Sequence, residues 1–364
     1  MIHENEMITR RQYISVCFLA LLSPLIRQLP QLAPLIAGSA GWLAGLAALP
    51  VLILFELMMT RLTKKRAEGE GMADIFLRVF GKPVGSAVLL LYALWMVAYA
   101  GFVLVGGAER LLTTAYPRGG RNLFILIMGA LGVMASLGRV RTLARMANIL
   151  RPLLLATLLL VIFAAFPYSR LGTLFPVTVQ DIPPVFNAGV RTANVLLLVV
   201  AFRFLEDRVE TSKTGKRTLP FLRLFLLLAV LSTLLLAAIL ANFGAAYTLR
   251  HTYPFFAMAG NIRLLGSLER LEVPILALWA FTDFVLLAAL LLSAATIFRR
   301  VLHSESRLIA LFCALGATIA ALVCSLTNLD LSLLAETIFP LSGAICIFGL
   351  YPLTFLVGLI RKKI

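Results

Sequence analysis

Ten apolar stretches, each long enough to cross a bilayer, take up most of this chain. They lie near Gln12–Ile36, Gly41–Arg61, Gly81–Leu112, Arg121–Leu137, Ile149–Phe166, Pro184–Leu205, Leu219–Phe243, Pro274–Phe298, Leu308–Leu326 and Leu331–Ile360. A hydrocarbon core of roughly 30 Å needs about 20 predominantly apolar residues per helix. At 61% hydrophobic residues and a mean hydropathy of +0.97, the 364 residues supply that length repeatedly. The expected class is an all-α integral membrane protein of about ten transmembrane helices, in one domain spanning 1–364.

A net charge of +16 in a soluble protein would suggest nucleic acid, but the placement of the charges argues otherwise. With the N-terminus inside, the cytoplasmic segments hold 24 of the 33 Lys and Arg residues, in clusters such as Arg61, Lys64, Lys65 and Arg66. The remaining nine are all Arg, in outer loops or inside spans. Such a bias puts both termini in the cytoplasm and makes the lipid bilayer, not nucleic acid, the partner of the charge. No cleavable signal is expected, because Met1–Arg11 is polar and the first apolar run is long and broken by proline. Cys17, Cys313, Cys324 and Cys346 all fall in apolar spans, where cysteine behaves as a small hydrophobe. The three histidines lie in three separate polar segments, so neither a metal site nor a cofactor is expected.

The chain divides near Ser169–Ile182 into two halves of five spans, about 8–168 and 180–364. Five is odd, so the second half enters the membrane inverted. This is the arithmetic of a LeuT-like inverted repeat, in which the first helix of each half is broken and the binding site sits at the break. Span one carries Ser23-Pro24 and then Pro30 and Pro34, with Leu25, Arg27 and Gln28 between. Each proline removes a backbone donor and crowds the preceding turn. Span six carries Asn187-Ala188-Gly189, then Arg191 and Asn194. Polar interruptions in both corresponding helices point to a midplane site, since freed backbone survives at that depth only beside a cavity or packed in protein.

An ionisable side chain inside a span is unfavourable by about 2.5–3.5 kcal/mol on insertion scales, so each one needs a reason. Arg27, Arg191 and Asp283 fall at similar depths on the outer side. Asp283 is expected to neutralise one of these arginines, or else to bind a ligand ammonium or a proton while an arginine holds a carboxylate. Glu109 and Arg110 are expected at the outer interface. Tyr99 on span three and Thr282 on span eight complete the candidate ligand positions. Catalysis has little to support it: GxxxxGK[ST], HExxH and a nucleophile elbow are all missing.

The segment Thr252–Leu291 carries a more specific pattern. It runs Tyr253-Pro254-Phe255-Phe256, then Leu268-Glu269-Arg270-Leu271-Glu272, then Trp279 in the following helix. Together with Ile8-Thr9 and Gln12 before span one and Trp42 before span two, it resembles the spore germination permease family. These are the GerAB-type B subunits of nutrient germinant receptors, within the amino acid/polyamine/organocation superfamily. The resemblance covers essentially the whole chain. It implies a LeuT-like fold in the spore inner membrane, and a small nutrient, expected to be an amino acid, bound between spans one, three, six and eight. It also implies A-type and C-type receptor subunits as partners. The alternative on the same fold is a secondary transporter of amino acids or amines. The family usually has a Gly-containing break in span one where this chain has Ser23-Pro24, and Arg27 and Arg191 depart from its pattern. Glu269, Arg270, Glu272 and Trp279 read as a structural or gating clamp. Pro254–Leu271 reads as an amphipathic helix at the outer face.

Overall fold

Thr9 starts the first helix: its Oγ1 accepts from the Gln12 backbone N–H at 3.4 Å, while the Thr9 N–H donates to Gln12 Oε1 at 3.0 Å. This reciprocal cap satisfies two donors that a helix start otherwise leaves open. The computed structural model describes residues 7–64, 70–210, 221–262, 272–327, 329 and 331–363, side chains 272–274, 277 and 332 excepted. The first half runs through α1 (Arg10–Ala37), a short α2 (Ala44–Ala47), α3 (Leu49–Leu62), α4 (Met72–Phe80), α5 (Lys82–Thr114), α6 (Arg121–Leu137) and α7 (Val140–Ala164). The second half continues with α8 (Ile182–Leu196), α9 (Leu222–Thr248), α10 (Pro254–Gly260), α11 (Glu272–Leu302) and α12 (Leu308–Leu326). The final span, Leu334–Ile360, alternates π-helical turns at Leu334–Ile338 and Ile345–Leu350 with α-helical ones.

Among the described residues, eight helical stretches are long and apolar enough to span a membrane. The first of these, Arg10–Leu62, holds two of the expected spans, and the 17-residue Arg121–Leu137 is a further apolar helix. Ten crossings are therefore accounted for. Residues such as Leu54, Leu91, Met134, Ile149 and Phe312 stay exposed on the outside of the bundle, as lipid-facing side chains do. The core forms where α1 packs against α7, α8, α9 and α11, and where α11 and α12 pack on α5.

Small residues let these helices approach. A Cβ at Gly45 would stand 2.5 Å from the Ala229 carbonyl oxygen of α9, and one at Gly189 would stand 2.7 Å from Ala47. Close backbone approach at small residues is how membrane helices gain packing when no hydrophobic drive separates them from lipid.

The interruptions of the two lead helices take a form that differs from the expectation. α1 stays helical through Ser23, Pro24 and Leu25 and ends only at Gly38, whose φ of 55° suits glycine. A proline inside a membrane helix is tolerated where neighbouring elements enclose it, and Pro24, Pro30 and Pro34 are all buried. Span six changes character at Leu197, where α8 tightens into a 12-residue 3₁₀ segment, Leu197–Arg208, rather than at Asn187–Gly189. So long a 3₁₀ run is uncommon. At its end the chain start is clasped: Ile8 N–H donates to the Arg208 carbonyl at 2.9 Å, and Glu210 N–H donates to the Ile8 carbonyl at 3.0 Å.

Candidate functional site

One buried ion pair joins α5 to α11. Arg110 donates through Nη2 to Asp283 Oδ2, and both side chains are only 3% exposed. Ser23 of α1 donates its hydroxyl to the other carboxylate oxygen, Oδ1. Three helices are thus tied through one carboxylate. The partner of Asp283 is Arg110, not Arg27 or Arg191. Arg110, expected at the outer interface, stands four residues from the end of α5 but is not exposed there. Instead α10 and α11 roof it: its guanidinium lies 4.5 Å from the Trp279 ring centroid, and Trp279 stacks on Phe256 at 4.4 Å and 10°. Glu109, its neighbour, turns outward to Arg121 at 2.9 Å. Tyr253 closes the same region. Burial pushes its hydroxyl above the ordinary tyrosine range, against the opposing pull of Arg110 and Arg27.

Arg27 is buried beside this cluster without joining it. Its guanidinium lies over Phe102 at 4.7 Å, and neither Nη1 nor Nη2 has a hydrogen-bond partner among the described residues. Gly106 makes room for it, since a Cβ there would come within 2.6 Å of Nη1.

A cavity of about 430 Å³ opens between α1, α5, α8 and the final span. Such a volume suits a small ligand. Gln28 and Leu32 line it from α1, Trp95 and Tyr99 from α5, and Arg191 and Asn194 from α8. Glu336, Thr337 and Phe339 line it from the final span. Among the described residues, span eight does not contribute to this wall, whereas span ten does. The polar walls are oriented: Gln28 Nε2 donates to the Tyr99 hydroxyl at 3.3 Å, Trp95 Nε1 donates to Ser342 at 3.0 Å, and Asn194 Nδ2 donates to the Pro340 carbonyl at 2.9 Å. Asn194 Oδ1 is buried and has no partner among the described residues. Arg191 and Glu336 are exposed side chains of opposite charge on the lining.

The other expected positions fall elsewhere. Pro24 and Leu25 are core residues of α1, Asn187 is exposed, and Gly189 packs on α2 instead of facing the cavity. Thr282 donates to the Trp279 carbonyl of its own helix at 2.7 Å. Glu269 and Arg270 lie outside the described residues, as does the side chain of Glu272. Of the expected amphipathic helix, α10 is the described part. Trp95 and Glu336 line the cavity without being among the expected positions, and Arg110, expected at the interface, is buried instead. A signal for Arg110 existed, because Tyr92, Met96, Tyr99, Val103, Gly106 and Arg110 recur at helical spacing on one face of α5.

A second buried ion pair joins the 197–208 segment to α3. Arg203 donates to Glu56 of α3 and reaches Glu206 at 3.4 Å, with Phe221 under its guanidinium at 4.5 Å. The Phe221 N–H donates to Glu56 Oε1 at 3.3 Å, and the Tyr13 hydroxyl donates to the Phe202 carbonyl at 3.0 Å.

Compared with known proteins, residues 8–330 match the family model described as spore germination protein. The chain belongs to that family. No curated protein matches its sequence. In structure this spore germination protein is similar to Mhp1, a nucleobase-cation-symport-1 family transporter in a closed conformation with bromovinylhydantoin bound. The TM-score is 0.69 at 14% identity, covering 99% of this chain and 80% of that one. It is also similar to a Na⁺-coupled sialic acid symporter in a substrate-bound outward-open state, with a TM-score of 0.60 at 14% identity, covering 97% and 80%. These likenesses show a shared LeuT-like fold. The spore germination protein is thus a multi-pass membrane protein built like a transporter.

Proposed function

We propose that this spore germination protein is the nutrient-binding B-type subunit of a germinant receptor, and that its nutrient is a small amino acid held in the cavity between α1, α5, α8 and the final span. The observation that carries the reading is the polar inventory of that cavity. Asn194 Oδ1 is a buried acceptor with no partner among the described residues, and the lining offers one cation and one anion, Arg191 and Glu336. An amino acid presents the complement, an ammonium that donates and a carboxylate that accepts. The protein sits in the spore inner membrane with both termini cytoplasmic and acts with A-type and C-type subunits. Ligand binding favours one conformation and biases the complex toward it.

Asn194→Leu keeps the volume and removes the acceptor. Losing a hydrogen bond to a charged group is worth about 1.5–3 kcal/mol, so the nutrient concentration giving half-maximal germination should rise roughly 10- to 150-fold. Unchanged dose dependence for every amino acid, at unchanged protein level, would remove the cavity from the reading. A second reading, a secondary transporter of amino acids or amines, draws on the likeness to two symporters. Counterflow of a radiolabelled amino acid into liposomes carrying the purified chain separates the two, since a sensor gives none.

A further inference from the structure

Arg27 poses a charge problem that the cavity does not solve. It is 8% exposed, and neither terminal nitrogen has a partner among the described residues. A guanidinium stays protonated in proteins, so this side chain has no neutral form to adopt. Stacking on Phe102 compensates only part of its lost hydration. Arg27 and Arg110 stand within electrostatic reach of each other, and the one carboxylate bonded there among the described residues, Asp283, is already held by Arg110 and Ser23. Glu109 is engaged outward by Arg121. The described cluster therefore carries one uncompensated positive charge. Gly106 leaves Nη1 the space that any side chain there would take.

We propose that Arg27 is half of a buried site for a small monovalent anion, either a free halide or the carboxylate of an organic ligand. The anion meets the Arg27 fork and restores the charge balance of the cluster. The path is short: Phe102 lies under Arg27 and packs on Phe339 at 4.6 Å, and Phe339 lines the cavity. Parting that aromatic pair brings the cavity and the guanidinium together. The halide form stands independently of the function proposed above. The carboxylate form rests on that reading.

The test is the melting temperature of the purified full chain in detergent, at constant ionic strength. Sodium chloride or bromide is compared with sodium gluconate, and in gluconate a panel of amino acids is compared with their carboxyl amides. A ligand at ten times its dissociation constant raises the melting temperature by roughly 3 °C. Stabilisation by halide that disappears in Arg27→Gln supports a free anion. Stabilisation by an amino acid but not its amide, again lost in Arg27→Gln, supports the ligand carboxylate. If Arg27→Gln does not fold, Arg27→Lys keeps the charge without the planar fork, and Gly106→Ala displaces the guanidinium; both should weaken the response at least tenfold. No anion response in the wild-type chain overturns the proposal, and so does a response that survives these substitutions. Failure of the cavity reading would show separately, as an unchanged Asn194→Leu dose dependence.

Discussion

Replacing Asp283 by Asn keeps the shape of the side chain and removes its charge. In the wild-type chain the carboxylate accepts from Arg110 and Ser23, with both partners of the ion pair 3% exposed. The amide oxygen of the variant would still accept from Ser23, but Arg110 would keep a full charge facing a neutral group. Breaking a buried pair by removing one partner is destabilising by about 3–5 kcal/mol, much of it the burden of the charge left behind. At about 2–4 °C per kcal/mol for a chain larger than a small domain, the melting temperature should fall by roughly 6–20 °C. The companion variant Arg110→Met/Asp283→Asn removes that stranded charge and should recover at least half of the loss, despite giving up the stacking on Trp279. Fluorescence-detected size exclusion across a temperature series reads both. Adding the single variant Arg110→Met completes a double-mutant cycle that isolates the pairwise coupling. A single variant within about 2 °C of wild type, or a double variant no better than the single, would refute the claim that this carboxylate holds α1, α5 and α11 together.

Four other substitutions follow from the same geometry. Glu56→Gln leaves Arg203, which is 4% exposed, with Glu206 as its remaining carboxylate and should lower stability by about 1.5–3 kcal/mol through the weakened charged bond, read as yield and melting temperature. Ser23→Ala should reduce stability by about 1.5–3 kcal/mol through the lost bond to a charged acceptor, without the larger collapse of Asp283→Asn. Gly189→Val drives a side chain into the Ala47 backbone and should cost about 1–3 kcal/mol, whereas Asn187→Val, on an exposed position of the same helix, should change the melting temperature by less than about 2 °C.

The spans were legible because hydropathy is a local property and bilayer thickness sets one length for all of them. The family was legible in Tyr253 to Trp279, where aromatic and charged residues keep a distinctive order. What stayed hidden depends on tertiary cover. Arg110 lies so near the end of its helix that only the Phe256–Trp279 roof decides its burial, and no local pattern reports a roof. The prolines of α1 announced a break, yet a helix enclosed by four others stays continuous across them. The cavity wall from the final span was missed for a related reason. Glu336 sits in a π-helical turn, where the wider turn rotates side chains away from the positions that ordinary helical spacing assigns.

The clasp between Ile8 and the 208–210 strand-like segment has a mutational consequence. Its two hydrogen bonds run from main chain to main chain, so ordinary substitutions at these positions leave both groups in place. Among the natural residues, only proline at 8 or at 210 deletes one of these donors outright. Any inward parting of the two lead helices at this point must first surrender both bonds, however the side chains around them have drifted. This end of the bundle is therefore fastened in part by the backbone, which sequence change reaches least, whereas the cluster around Asp283 is tied through side chains that selection can loosen or retune one residue at a time.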